Sequence, residues 1–183
     1  MKKRLFLAIP LTKTIRESFA QYQRSLNLED VRWIPKKNLH ITLYFLGDTD
    51  EVTIPEIIEE LNLFFNTVNS FSLKFDKISL APPGSKKPRI IWAEFEPNPE
   101  FENLMSGVRK ILNKFAKEPS EHKEIIPHVT LARFKPTTKF NKLKLDQPKI
   151  EDLSVLSSEL MSSHLYDDGS QYSIIASFQH EIT

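Results

Sequence analysis

The sequence predicts a mixed fold of strands and helices, arranged as two similar lobes that share one site. Two observations predict it. Short apolar or alternating runs, which read as strands, are interleaved with runs whose apolar residues recur at helical spacing. The segments Leu39-His40-Ile41-Thr42-Leu43 and Pro127-His128-Val129-Thr130-Leu131 also echo one another, each after a helical segment and a polar loop. Size agrees: 183 residues fit one domain of two lobes, and a chain that is 40% hydrophobic can bury a core without covalent staples. The expected domain is the whole span 1–183.

Residues 5–9 read as a short apolar strand. Ile15, Phe19, Tyr22 and Leu26 recur at helical spacing within 12–26, with Thr12 or Thr14 as N-cap. Residues 33–35 are extended. Residues 39–46 are rich in strand formers and end at the turn Gly47-Asp48. Residues 54–68 read as a second helix, which accommodates Pro55 in its first turn. Phe71, Leu73 and Phe75 alternate in a strand over 71–78. A loop follows at 81–88, a strand at 90–95, a third helix at 101–115 and a strand at 127–134. Residues 150–156 and 172–178 read as closing strands, joined by a polar segment containing Asp167-Asp168-Gly169.

Composition excludes several chemistries. The chain has no cysteine, so disulfides, thiolate zinc sites, iron–sulfur clusters and a cysteine nucleophile are ruled out. Its four glycines, Gly47, Gly84, Gly107 and Gly169, lie too far apart for a glycine-rich phosphate loop. With 25 Lys and Arg against 24 Asp and Glu, net charge does not mark a nucleic-acid binder, and any polyanion affinity must come from local clustering. The apolar start is short, contains Pro10 and lacks a small-residue cleavage site, and no run approaches the ~18 apolar residues of a membrane span. The expectation is a cytoplasmic protein without membrane association.

The chemistry sits in the echo. Side chains alternate along a strand, so His40 and Thr42 share one face, as do His128 and Thr130, while Ile41, Leu43, Val129 and Leu131 anchor the other. One such triplet carries little weight. Two copies in matching apolar strands point to a functional pair. Histidine titrates near neutral pH, so one imidazole can take a proton from water while the other gives one to a leaving alkoxide, as in-line phosphodiester cleavage requires. Threonine hydroxyls can donate to the non-bridging phosphate oxygens. The remaining histidines, His122, His164 and His180, have no partner at telling spacing and are expected on the surface.

These residues resemble a known family, the two-histidine phosphoesterases, and within it the RNA 2',3'-cyclic phosphodiesterases formerly called 2'-5' RNA ligases. The resemblance runs along nearly the whole chain, through Arg4-Leu5-Phe6-Leu7-Ala8, Val31-Arg32-Trp33-Ile34-Pro35, Asn38 to Gly47, Pro88-Arg89-Ile90-Ile91-Trp92, Pro127 to Arg133, Ser158-Glu159-Leu160 and Tyr172 to Phe178. It implies an α+β fold of two lobes, each an antiparallel sheet flanked by helices, with the active-site cleft between them. It implies hydrolysis of RNA 2',3'-cyclic phosphate ends to 2'-phosphomonoesters, with 2'-5' ligation as the reverse. His40, Thr42, His128 and Thr130 carry over as the catalytic tetrad. The motifs do not distinguish acid from base, and the working assignment is His40 as proton donor to the 3' oxygen and His128 as proton acceptor from water. No metal and no cofactor is implied. The partners implied are RNA ends or small cyclic nucleotides, with no obligate protein partner and a monomeric enzyme.

Further contacts are read from position. Arg133 follows the second motif, but alternation puts it with Val129 and Leu131 unless a bulge reverses the face. Tyr44 and Phe134 share a face with their motif histidines and are candidates to stack on a base. Lys86, Lys87 and Arg89 form a basic loop, and Lys135, Lys139, Lys142 and Lys144 a second basic stretch. Trp33 and Trp92 are expected in the core. Two other readings compete. A non-catalytic module would bind a nucleotide or 2'-5' oligoadenylate in the same cleft. A metal hydrolase would use His40 and His128 as ligands, but neither motif has a third ligand nearby.

Overall fold

The structure is a computed structural model that describes residues 1–26, 28, 31–85, 87–117, 119, 126–135, 145–166 and 169–182. His122, Lys86, Lys139, Lys142, Lys144, Asp167 and Asp168 lie outside the described residues.

Strand β1 (Lys2–Pro10) buries Leu5 to Ile9 on both faces. Helix α1 (Lys13–Ser25) follows. Of the two candidate caps Thr12 is used, its hydroxyl accepting from Ile15 N at 3.2 Å. Ile15, Phe19 and Tyr22 make the buried stripe of α1, as their spacing predicts. Strand β2 (Val31–Trp33) leads through a single tight turn at Lys36–Asn38 into β3 (His40–Asp50). Helix α2 (Ile54–Phe65) carries its proline in the first turn. Then come β4 (Phe71–Leu73), β5 (Phe75–Ala81), β6 (Ile90–Phe95) and α3 (Pro99–Leu112). The chain closes with β7 (His128–Phe134), β8 (Leu153–Val155), β9 (Ser157–Tyr166) and β10 (Gly169–Gln179).

Eight of these strands form one antiparallel sheet in the order β10-β9-β1-β3-β7-β6-β5, with β2 also on β7. The two motif strands, β3 and β7, are neighbours at its centre. They meet at one register pair, Ile41 with Val129, and β2 takes the rest of that edge of β7. The α+β architecture is therefore two four-stranded halves joined edge to edge through the motif strands. The helices lie on one face. Phe19 of α1 packs on Phe75, Phe65 of α2 stacks on Phe178, and the Tyr44 hydroxyl of β3 donates to Asn113 Oδ1 just past α3 at 2.5 Å. Among the described residues the opposite face is left open, with Arg16 at the start of α1 reaching its rim beside His40.

Three sequence expectations are corrected. The strand read over 71–78 is two strands: Phe71 pairs with Val155 in a separate two-stranded sheet, while Phe75 pairs with Phe95 in the main one. Alternation runs unbroken through both, so pattern alone does not reveal the change of partner. Residues 157–166, read as a polar connection, form the ten-residue strand β9. Its inward positions are Ser158, Leu160 and Ser162, small hydroxyls flanking one leucine, which pattern reading scores as polar. His180 is buried, not on the surface. The end of the chain folds back, with His180 N donating to Leu156 O and Glu181 N to Val68 O. The imidazole stacks on Phe65 with ring centroids 5.2 Å apart and meets Ser158 Oγ at 3.1 Å. His164 is exposed, as expected.

Candidate active site

The register Ile41–Val129 sets the geometry of the open face. It places His40 beside Thr130 and Thr42 beside His128, and all four side chains point away from the buried Ile41 and Val129. The two histidines are thus diagonal neighbours, whose α-carbons stand roughly 7–8 Å apart in a regular antiparallel pair. Each ring is held in the same way. His40 Nδ1 lies 2.7 Å from Asn38 O, and His128 Nδ1 lies 2.8 Å from Ile126 O. A proton on each Nδ1 donates to the carbonyl two residues upstream, which turns each Nε2 to the open face as an acceptor. Thr42 Oγ1 lies 3.0 Å from His40 Nε2.

Both motif strands carry a bulge at the same offset from their histidine. In β3 the pairing steps from Ala8–Thr42 to Leu7–Tyr44, which leaves Leu43 extra. In β7 it steps from Trp92–Thr130 to Ile91–Ala132, which leaves Leu131 extra. A bulge reverses which residues face which side. Leu43 and Tyr44 are consequently both buried, as are Leu131 and Ala132. The bulge in β7 is held from behind: Gln23 Nε2 and Ile34 N both donate to Leu131 O, at 2.9 Å each. A second step in β3 leaves Leu46 extra, beside Gly47 at φ 72°, a conformation that favours glycine.

These bulges decide the candidates. Arg133 is brought to the histidine face, where it is exposed. Tyr44 is turned into the core against α3, and Phe134 packs partly buried against the core, so neither shares the face of its histidine. Phe45 takes the place expected of Tyr44. It is 69% exposed and lies 6.2 Å from the ring of Phe6. Lys87, Arg89 and Lys135 are exposed on the connections flanking β6 and β7.

The site also contains residues that motif reading misses. Trp92 is not in the core. It stacks on His128 with centroids 3.8 Å apart and an interplanar angle of 23°. Phe6 and Tyr172 pack on His40 at 5.0 Å and 5.5 Å. Glu94, in register with His128, is buried, accepts from Ser79 Oγ and lies 3.5 Å from Lys77 Nζ. One signal was available: in Ile91-Trp92-Ala93-Glu94 the charge alternates with tryptophan, which marks Trp92 as lying on the face away from the core.

A family model described as LigT like phosphoesterase matches residues 9–92. The RNA 2',3'-cyclic phosphodiesterase of Methanocaldococcus jannaschii is 33% identical over 164 residues, covering 89% of this chain and 90% of that protein. The chain belongs to the LigT-like phosphoesterase family. The RNA 2',3'-cyclic phosphodiesterase of Aquifex aeolicus is 26% identical, covering 87% of this chain and 90% of that protein. The crystal structure of TT0787 of Thermus thermophilus matches with TM-score 0.83 at 24% identity, covering 96% of this chain and 97% of that one. At that identity the match speaks for the fold, which is the α+β fold of the LigT-like structures.

In this LigT-like chain the electrostatics of the two histidines differ. Burial pushes the His40 pKa down to about 4. The Asn38 carbonyl works against this, while His128 and Arg16 add to it. Burial also lowers His128, opposed by the Ile126 carbonyl and the charge of Glu94. Both imidazoles are therefore neutral at pH 7 before an anion arrives. Among the described residues, no three His, Asp or Glu side chains form a set with metal-binding geometry. No helix among them is long and apolar enough to cross a membrane.

The exchange of Tyr44 for Phe45 has a measurable consequence. Phe45→Ala is expected to raise KM for a nucleotide substrate about 5- to 150-fold, the ~1–3 kcal/mol of one base–aromatic stack. Tyr44→Phe is expected to leave KM unchanged and to cost about 1 kcal/mol of stability through its lost hydrogen bond. Steady-state kinetics and thermal unfolding of the two variants check this; equal KM effects would refute the reversal of face.

Proposed function

We propose that this chain hydrolyses 2',3'-cyclic phosphodiester ends to 2'-phosphomonoesters by metal-independent acid–base catalysis. The observation that carries the proposal is the diagonal pair of imidazoles on one open face, each fixed through Nδ1 and each flanked by a threonine of the opposite motif. The names of the relatives support the substrate class. In this reading His128 Nε2 takes a proton from water, whose oxygen attacks phosphorus in line. The P–O3' bond breaks, and His40 Nε2 delivers a proton to O3'. Thr42 and Thr130 donate to the non-bridging oxygens. Arg133 contacts the phosphate and Phe45 a base. Joining ends through a 2'-5' bond uses the same groups, with a 5'-hydroxyl attacking phosphorus in place of water and giving its proton to His128 while the P–O3' bond breaks and O3' takes a proton from His40. Both motifs come from one chain, which supports a monomeric enzyme built as one two-lobed domain over 1–183. The cysteine-free composition fits a cytoplasmic setting.

The depressed pKa values bear on the proton roles. A donor must be protonated, yet His40 in the free protein holds a proton only toward pH 4. A phosphodiester anion between the rings favours their charged forms and raises both values. The pH optimum of kcat/KM, which reports the free enzyme, is therefore expected on the acid side of 6.5, with that of kcat displaced to higher pH.

The test is hydrolysis of an oligoribonucleotide ending in a 2',3'-cyclic phosphate, in excess EDTA, followed across pH. Turnover to a 2'-phosphate end with this ordering of optima is the expected result. Tight binding without turnover would make the chain a nucleotide-binding module, and activity lost to EDTA would make it a metal hydrolase.

A further inference from the structure

Beside His40, on the side away from β7, the open face carries a cavity of about 440 Å³. Its walls come from α1, the turn before β3, and the β9–β10 hairpin. A recess lined by His40 itself shares Arg16, Lys37, Asn38 and Tyr172 with it, so the cavity opens onto the catalytic imidazole. Small-ligand sites run from about 300 to 1,000 Å³, so there is room for one nucleotide.

The lining carries the groups such a ligand demands. Among the described residues Arg16 Nε is buried without a hydrogen-bond partner, a state that costs stability until an acceptor arrives. Lys36 is held by Glu17, but Lys37 is exposed and makes no ion pair among the described residues. Arg32, exposed on β2 and outside the lining, is a further cation nearby. It lies in register with Arg133 across β2 and β7, like charge beside like charge, an arrangement that an anion relieves. It also reaches the hairpin, where a Cβ on Gly169 would come within 2.7 Å of Arg32 Nη2. Among the described residues the one carboxylate of the lining is Glu159, whose pKa burial holds above its ordinary value while Arg16 works in the other direction. Tyr172, edge-on to His40, and Tyr166, 56% exposed, supply aromatic faces. Asn38 Nδ2 donates to Ser170 O at 2.8 Å, which ties the turn to the hairpin and fixes the walls. Cations interleaved with aromatic rings beside a strand-borne site are the chemistry of single-stranded nucleic acid binding.

We infer that this cavity holds the nucleotide preceding the cyclic-phosphate end, its phosphodiester on Arg16 and Lys37 and its base against Tyr172 or Tyr166, so that the substrate is an RNA strand end in preference to a free cyclic mononucleotide. The inference rests on the hydrolase reading above and narrows its substrate class. Arg16 is also a cation that disfavours a proton on His40, and a phosphodiester on Arg16 offsets that field.

The experiment compares kcat/KM for a dinucleotide ending in a 2',3'-cyclic phosphate with that for the cyclic mononucleotide, in the wild type and in the double variant Arg16→Gln, Lys37→Gln. The wild type is expected to favour the dinucleotide at least about tenfold, equivalent to 1.4 kcal/mol, and the double variant to bring the ratio near one. The ratio cancels any effect passed through His40, because both substrates use it. The same ratio is measured at equilibrium with a dinucleotide 2'-phosphate and a mononucleotide 2'-phosphate. A wild-type ratio near one, or a ratio the double variant leaves intact, overturns the inference. Absence of turnover on both substrates, with a binding ratio that still collapses in the double variant, overturns the hydrolase reading and upholds the cavity as a strand site.

Discussion

His128→Ala and His40→Ala are each expected to lower kcat for a cyclic-phosphate end about 10²- to 10⁴-fold, the usual contribution of a positioned acid or base. The rings project from the middle of an eight-stranded sheet and are held mainly by local backbone carbonyls, so the fold should survive their loss. A thermal unfolding scan provides that control. The two variants should then part company on a phosphodiester whose leaving group is p-nitrophenolate. Such a group departs without a proton, so the variant lacking the donor should recover much of its rate and the variant lacking the base should not. Recovery in His40→Ala supports the donor role proposed for His40. Recovery in His128→Ala would reverse the assignment, a result the unliganded electrostatics would accommodate, since Glu94 favours a proton on His128 while His40 has no such neighbour among the causes of its shift. Full activity in either variant would remove the two-histidine mechanism.

Thr42→Val and Thr130→Val are each expected to cost about 10²- to 10³-fold in kcat, the scale for removing one preorganised donor from a site of changing charge. Valine keeps the shape and suits a strand, so the hydroxyl alone is lost. Thr42→Val removes a second contact as well, the 3.0 Å approach to His40 Nε2, and its pH profile should move where that of Thr130→Val does not. Serine at either position restores the donor and should restore most of the rate. The effect belongs in kcat more than KM, because the bond strengthens as charge builds on the phosphate oxygens. A pair of variants that changes KM alone would assign the threonines to ground-state binding.

Much of this protein was legible in its sequence. Alternation and helical spacing mark most of the elements, because burial of one face imposes a period on any strand or helix. The two His-x-Thr triplets and their common face follow from the same period. Misreadings came where partners lie far along the chain. The split of 71–78 between two sheets depends on Val155 and Phe95, and neither partner leaves a trace in the local pattern. His180 reads as a polar residue near an end, but the backbone bonds to Leu156 and Val68 carry it between aromatic rings.

The motifs themselves show where the division falls. Composition and period determined the chemistry on offer: two imidazoles and two hydroxyls on strands, in a chain without thiols or a glycine-rich loop. Only the tertiary structure decided which further residues join them. A one-residue bulge leaves no mark in the hydrophobic pattern, because Leu43-Tyr44 and Leu131-Ala132 are acceptable on either face. Yet it turns Tyr44 and Phe134 inward and brings Phe45 and Arg133 to the histidine face. Register is likewise a property of two strands at once. The pairing of Ile41 with Val129 sets each histidine beside the other motif's threonine, and segments far apart in the chain become neighbours through packing that neither encodes alone.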